Sequence, residues 1–215
     1  MIRRTIALVL PLALSGCTGL LGELGGGTTV SGLIKAPETQ QAAIAFTDAY
    51  RIAGSIAGER AVPEAEVRAY GADGNAIGAA VKANKSGLFE IKGLPSGKAV
   101  ILVATAKAKS GGTLRIAAFV KPAGTGTARD LNTASTIVAD KLKASLSAAK
   151  LEAVAQNDVD ILEGRVSNSL DTADIPDLSK DGAAVAAFDK VEQKNSSIAN
   201  AFASISEGRA IASVR

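Results

Sequence analysis

The chain has 215 residues with one cysteine, no histidine and no tryptophan, which excludes within it a Ser-His-Asp or Cys-His catalytic device, a His/Cys zinc site and an internal disulfide. The formal net charge of +3 falls to +1 when Arg3 and Arg4 are left out, because 22 basic and 21 acidic residues then remain. Residues 28–133 are net basic and residues 134–215 net acidic, a pattern explained by solvated faces or by attraction between the halves or to an anionic polymer.

The N-terminal segment has the three parts of a secretory signal. Residues 1–4 are short and basic, residues 6–14 are apolar and interrupted by Pro11, and the small residues Ser15 and Gly16 follow. This order is typical of a signal peptide that is removed during export. An uncleaved membrane anchor is the disfavoured alternative, because Pro, Gly, Ser and Thr interrupt an uncharged span that is close to the minimum for crossing a bilayer.

The tetrapeptide Leu14-Ser15-Gly16-Cys17 at the end of the apolar run resembles the lipobox of bacterial lipoproteins. In that family the cysteine thiol receives a diacylglycerol and the signal is cut just before it, so the resemblance implies lipid attachment at Cys17. Two or three acyl chains hold a protein on a membrane, whereas one alone binds marginally. The residue after the cysteine is Thr18 and not aspartate, so the resemblance also implies sorting to the outer membrane in an organism with two membranes. The alternative is an ordinary secreted protein with a chance cysteine.

Between residues 30 and 132 the hydrophobic pattern has a period of two. The runs EAEVRAY, LFEIKGL and LRIAAFVK alternate between two faces, and KAVILVATA is apolar on both faces, which predicts a central strand. Turn signals such as GADGN, NKSG and GLPSGK separate these runs. Short alternating strands at such intervals predict an antiparallel β-sandwich.

The stretch from VPEAEVRAYGADGN to KSGLFEIKGLPSGKAVILVA resembles the carboxypeptidase regulatory-like, transthyretin-like domains. Their pattern combines a Pro-x-Ala-x-Val strand, a Gly-x-Phe-x-Ile strand and a Gly-Leu-Pro-x-Gly turn. The resemblance implies a fold with core and turn residues and no catalytic role. The positions that carry these structural roles are Pro63, Val67, Gly87, Phe89, Ile91, Gly93, Pro95 and Gly97.

One departure from that pattern is a long segment after the first strand. Phe46, Ala49, Tyr50 and Ala53 share a helical face, which predicts a helical insertion near residues 38–57. The insertion is interpreted either as a cap over an open edge of the sandwich or as a binding element that uses Phe46 and Tyr50.

After residue 132 the period becomes helical, with Asn132 or Thr133 as the expected N-cap. One stripe is expected to run from Ala139 through Ala149 to Ala153, and a second contains Val159, Leu162, Val166 and Leu170. The final segment has a four-three spacing with one asparagine, which is typical of a heptad seam. Packing within the chain, self-association and a partner protein are the three interpretations of this seam. Its interaction residues are Phe188, Val191, Asn195, Ile198, Phe202 and Ile205.

Three patterns suggest chemistry without completing it. The loop from Asp177 to Asp189 starts like a calcium EF-hand, but Phe188 stands where the bidentate glutamate is required, so a helix-entry loop is expected. The run GTGTA has the glycines of a phosphate loop and lacks its lysine, so it is interpreted as a hinge. Glu64 and Glu66 share a strand face and could form a carboxylate pair, but nothing else in the sequence favours glycosidase chemistry.

The predicted fold class is α+β, with an antiparallel Ig-like or transthyretin-like β-sandwich followed by two to three C-terminal helices. The expected order is a signal peptide (1–16), a Gly-rich tether (17–29), the sandwich (30–132) and the helical region (133–215). The predicted function is a non-catalytic, lipid-anchored envelope protein that serves as a structural or adaptor module, with a peptide- or carbohydrate-binding module as the alternative. No metal, cofactor or nucleic-acid partner is expected, and an envelope protein or polymer is the expected class of partner.

Overall fold

The architecture comes from a computed structural model that describes residues 27–41, 56 and 58–211. In these residues the strands precede the helices, which confirms the α+β class. The strands are β1 (Thr28–Leu33), β2 (Lys35–Pro37), β3 (Glu59–Ala61), β4 (Glu66–Gly71), β5 (Ala76–Lys82), β6 (Leu88–Leu94), β7 (Val100–Lys107), β8 (Thr113–Val120) and β9 (Gly126–Ala128). The helices are α1 (Thr133–Ser145), α2 (Ala148–Ala153), α3 (Gln156–Ser169), α4 (Ala183–Lys194) and α5 (Ser196–Ser206).

The strands form two larger sheets and one small one. A four-stranded antiparallel sheet has the order β5-β4-β7-β8, and a three-stranded sheet has the order β6-β1-β9. In the three-stranded sheet, β1 is antiparallel to β6 and parallel to β9. The remaining sheet is the β2-β3 pair. β7 therefore lies between β4 and β8, which confirms the prediction of a central strand.

The two larger sheets contribute side chains to one apolar core. Alternation along each strand sends one set of side chains inward, as the period-two pattern predicts. The inward set from the four-stranded sheet includes Val67, Leu102 and Ile116, and the three-stranded sheet supplies Val30, Phe89 and Ile91. Each of these side chains is at least nine-tenths buried.

The opposite face of β7 and β8 is also buried, because helices cover it. Ile101 and Val103 of β7 and Ala117 and Phe119 of β8 belong to a second apolar cluster that contains the inward faces of the helices. α1 lies directly on β8, where Thr136 Oγ1 accepts a hydrogen bond from the Ala117 amide at 2.9 Å. The four-stranded sheet is thus the middle layer between a smaller sheet and a helical layer.

The described part of the helical region, residues 133–211, contains five α-helices, so the prediction of two to three was too low. Asn132 caps α1 through a reciprocal capping box with Ser135. The predicted continuous stripe breaks after α1, because the chain turns at Leu146 and Ser147 caps the short α2. The break changes the register: Ala149 and Ala153 are exposed, and Leu151 and Val154 take the buried positions.

The predicted heptad seam is also broken, at Asn195. This residue ends α4 and caps α5, with its Oδ1 atom accepting a hydrogen bond from the Ser197 amide at 3.0 Å. The side chains of Phe188, Val191, Ile198 and Ile205 are buried in the chain's own core, and Phe202 is partly buried against it. An asparagine that caps a helix cannot also sit in the middle of a continuous coiled-coil seam, so the expected seam is divided between α4 and α5.

Two boundaries also differ from expectation. Thr28 and Thr29 belong to β1 and not to the tether, because β-branched residues fit a strand and the glycine run ends at Gly27. Most of the GTGTA run is not a hinge, since Gly126–Ala128 forms β9. The start of the predicted insertion contains a 3-10 helix at Glu38–Gln40, and its helical face with Phe46 and Tyr50 lies outside the described residues.

Candidate functional site

The predicted attachment point lies outside the described part of the chain. Leu14, Ser15, Gly16 and Cys17 precede Gly27, where the description begins. The structure therefore bears on this site only through the way in which the chain that follows it enters the fold.

That entry is held on both sides. β1 pairs with β6 and β9, and Thr28 Oγ1 donates a hydrogen bond to the Gly124 carbonyl oxygen at 3.1 Å. Just before the strand, the backbones of Gly27 and Gly93 meet so closely that a Cβ on Gly27 would lie 2.3 Å from the Gly93 Cα atom. Gly27, where the described part of the chain begins, therefore leads directly into β1, the middle strand of a sheet.

The residues of the family-like pattern occupy core and turn positions. Val67, Phe89 and Ile91 are buried between the sheets, as is Pro63 at the entry to β4. The three glycines of the pattern have positive φ angles, and Pro95 begins the turn that contains Gly97. Gly87 shows why glycine is required, since its φ is 76° and a Cβ would press against Val62 at 3.1 Å. The positive-φ glycines of the pattern are Gly87, Gly93 and Gly97.

Glu64 and Glu66 line an open cleft of about 400 Å³ at one end of the four-stranded sheet. Glu64 has a φ of 57°, the one left-handed non-glycine residue in the part of the chain described. Each carboxylate is near a cation, with Glu64 Oε2 3.4 Å from Lys82 Nζ and Glu66 Oε1 3.5 Å from Arg68 Nη2. Both carboxylates are exposed to solvent and paired with cations, so they lack the apolar surroundings that are typical of a catalytic carboxyl group.

A second cleft of about 400 Å³ lies between β8, α1 and the loop that leads into α4. At its wall Arg115 Nη1 contacts both carboxylate oxygens of Asp140, at 2.7 and 2.6 Å. The loop is tied down where the Arg115 amide donates to the Leu178 carbonyl oxygen at 3.1 Å. In the loop, Asp177 accepts hydrogen bonds from Ser179, and Gly182 is the N-cap residue before α4, so this stretch is the helix-entry loop that was expected.

The two clefts share Thr113 and so form one open surface across the end of the sheet. Neither is lined by an aromatic residue. Sequence reasoning named Glu64 and Glu66 but missed Arg115, Asp140 and Lys143, because only the docking of α1 on β8 brings these three together. The surface therefore offers no stacking platform for a sugar ring.

A buried ion cluster joins the three-stranded sheet to the helical layer. Arg129, just after β9, contacts Asp160 of α3 at 2.9 Å and also pairs with Glu163. We call Arg129, Asp160 and Glu163 the Arg129 cluster. Burial raises the pKa of Glu163 to about 7, against the opposing charge of Arg129 and with a contribution from Asp160. No sequence motif signals this cluster, since Arg129 lies about 30 residues before Asp160 and Glu163 of α3 and only the fold brings it to them.

Within residues 27–41, 56 and 58–211, no group of three or more His, Cys, Asp or Glu side chains is arranged to hold a metal ion. None of the helices described here combines the length and apolar character that a membrane span requires. No protein-family model, curated protein or solved structure matches the chain.

Proposed function

We propose that the chain is a non-catalytic lipoprotein of the bacterial cell envelope, attached through lipid on Cys17 and sorted to the outer membrane where the organism has one. The observation that carries the proposal is the Leu-Ser-Gly-Cys sequence directly behind a basic and then apolar N-terminus. Lipid attachment would also consume the only thiol of the chain, and with it the strongest nucleophile available in the absence of histidine.

The geometry around β1 supports an anchored module. The predicted tether leads into β1, and β1 is hydrogen-bonded on both sides, so the attachment would enter the folded body at a firmly held strand. A structural or adaptor role fits this arrangement, because the body presents two sheets and a helical layer on a short attachment.

We further propose that the strands are a carboxypeptidase regulatory-like sandwich. Its support is the position of the pattern residues, with Phe89 and Ile91 in the core shared by both sheets and Gly87 at a positive-φ turn. An experimental structure with a strand order that differs from β5-β4-β7-β8 and β6-β1-β9 would remove this support.

Metabolic labelling with a fatty acid tests the anchor. The wild-type chain should take up label and fractionate with membranes, whereas Cys17→Ala should lose the label and remain unprocessed. Ser96→Ala, an exposed turn position, is the matched control and should behave as wild type. Equal labelling of wild type and Cys17→Ala would overturn the proposal.

The second candidate function is the capture of an extended peptide. The open surface that joins the two clefts through Thr113 favours it, and the lack of aromatic lining favours a peptide over a carbohydrate. Crosslinking in the envelope, with a photoreactive residue in place of Thr113 or, as control, Ser204 on α5, distinguishes the two functions. A Thr113-specific adduct with a protein would support peptide capture, and adducts equal to those at Ser204 would contradict it.

A further inference from the structure

The Arg129 cluster lies at a joint that holds β1 in place. The Arg129 amide donates to the Ser31 carbonyl oxygen at 2.8 Å, and the Leu131 amide donates to the Leu33 carbonyl oxygen at 3.0 Å. The packing at this point is tight, because a Cβ on Gly32 would lie 1.9 Å from the Arg129 carbonyl oxygen. The segment 126–131 therefore follows β1 along its length.

Arg129 also joins this segment to α3, through ion pairs whose central groups are largely shielded from water. The side chains of Arg129 and Glu163 are 11% and 13% exposed, whereas Asp160 is 53% exposed. Arg129 Nε is buried and has no hydrogen-bond partner among the described residues. A buried carboxylate beside an incompletely satisfied guanidinium is costly in free energy.

No other charge from the packed elements takes part. α1, α4 and α5 pack against α3, and the ion-paired groups on or next to these helices contact residues outside the cluster, while the remaining Lys143 and Lys190 do not act on Glu163. These pairs are Asp140 with Arg115, Lys141 with Asp189 and Glu192, Lys194 with Asp174, and Glu207 with Arg209. The charged groups that face Glu163 are thus Arg129 from the segment after β9 and Asp160 from α3 itself.

We propose that the Arg129 cluster is a proton-controlled joint between α3 and the segment 126–131, which holds β1 more firmly when Glu163 is protonated. Opening the joint exposes Glu163 to water, where its carboxyl recovers an ordinary affinity for protons. The inference goes beyond the lipid anchor and does not depend on it.

The direction of the effect follows from the two pKa values. Glu163 has a pKa of about 7 in the closed joint, above its ordinary value of 4.5, because burial disfavours the charged form more than Arg129 favours it. A group with a raised folded-state pKa stabilises the closed form below its ordinary pKa, and this stabilisation is lost as pH rises through the raised pKa. The open fraction should therefore increase by about tenfold to a hundredfold between pH 5 and pH 8.

Hydrogen exchange on the full chain tests this directly. After correction for intrinsic rates, the amides of Arg129 and Leu131 should lose about ten- to hundredfold of their protection between pH 5 and pH 8. Glu163→Gln, which is neutral at every pH, should abolish this dependence. Glu207→Gln removes an exposed carboxylate and should leave the dependence unchanged.

A second variant covers the case in which Glu163→Gln does not fold. Asp160→Asn alters a half-exposed group whose negative charge raises the pKa of Glu163, so the midpoint of the Glu163 carboxyl signal in carbon NMR should move to lower pH. A wild-type midpoint near 4.5, or protection at Arg129 that changes equally with pH in wild type and Glu163→Gln, would overturn the proposal.

Discussion

The ammonium group of Lys141 lies 5.2 Å from the centre of the Phe188 ring, and 5.1 Å from that of Phe202. The two rings meet edge to face with 5.2 Å between their centres, so one lysine of α1 contacts an aromatic pair contributed by α4 and α5. Its Nζ atom also lies 2.6 Å from Asp189 Oδ1. A single cation thus joins three helices.

Replacing Lys141 by methionine should lower the free energy of unfolding by about 1–2 kcal/mol. Methionine keeps the apolar stem, so the loss reports the charge, and Asp189 is 46% exposed and stays solvated without its partner. Urea denaturation measures the change. Lys143→Met on the same helix is exposed and should cost less than about 0.5 kcal/mol. Equal losses in both variants would contradict the role given to Lys141.

Gly32→Ala should prevent folding or cost at least about 3 kcal/mol, because the new Cβ would overlap the Arg129 carbonyl oxygen and neither backbone can move independently. Gly126→Ala is the matched control on the neighbouring strand, where nothing lies within 4 Å of the added atom. It should change stability by less than about 0.5 kcal/mol. Thermal unfolding followed by circular dichroism distinguishes the two, and a stable Gly32→Ala would disprove the close approach.

The caps of α1 and α2 should differ in strength. Asn132→Ala removes a two-way capping box in a partly buried setting and should cost about 1–2 kcal/mol. Ser147→Ala removes a long, exposed contact of 3.4 Å to the Lys150 amide and should cost only a few tenths of a kcal/mol. Chemical denaturation of both variants checks the order, and a larger loss for Ser147→Ala would reverse it.

Asn195→Ala should destabilise the chain by about 1 kcal/mol without altering its oligomeric state. Asn195 caps α5, and its Nδ2 atom donates to Ser169 Oγ at 2.8 Å, so its partners lie within the same chain. Denaturation measures the loss, and sedimentation of wild type and variant compares their association. A change in molecular mass on substitution would restore the coiled-coil interpretation of the seam.

Local patterns predicted the elements better than they predicted their assembly. Val67 and Ile91 could be assigned to the core from alternation alone, because a strand with one buried face must repeat every two residues. The break at Asn195 was missed, because a cap and a buried seam asparagine look alike at helical spacing. The parallel pairing of β9 with β1 joins segments far apart in the chain, and no periodicity reports such a pairing.

The candidate functional residues likewise fall into those that the sequence alone predicts and those that only the fold brings together. Leu14, Ser15, Gly16 and Cys17 are consecutive in the chain, so the prediction of lipid attachment rests on the sequence alone. The meeting of Arg115 with Asp140, and of Arg129 with Glu163, depends on where α1 and α3 settle against the sheets. Sequence shows the charge of each residue, whereas burial, which moves the pKa of Glu163, is a property of the folded chain.

The position of β1 between β6 and β9 also determines how the fold responds to force. A pull on the N-terminus acts along β1, and the hydrogen bonds to both neighbouring strands lie across that direction. They must break together in shear, since neither neighbour can be peeled away one bond at a time. A body tethered at this end would first bear tension through the backbone hydrogen bonds of β1 to both of its neighbours.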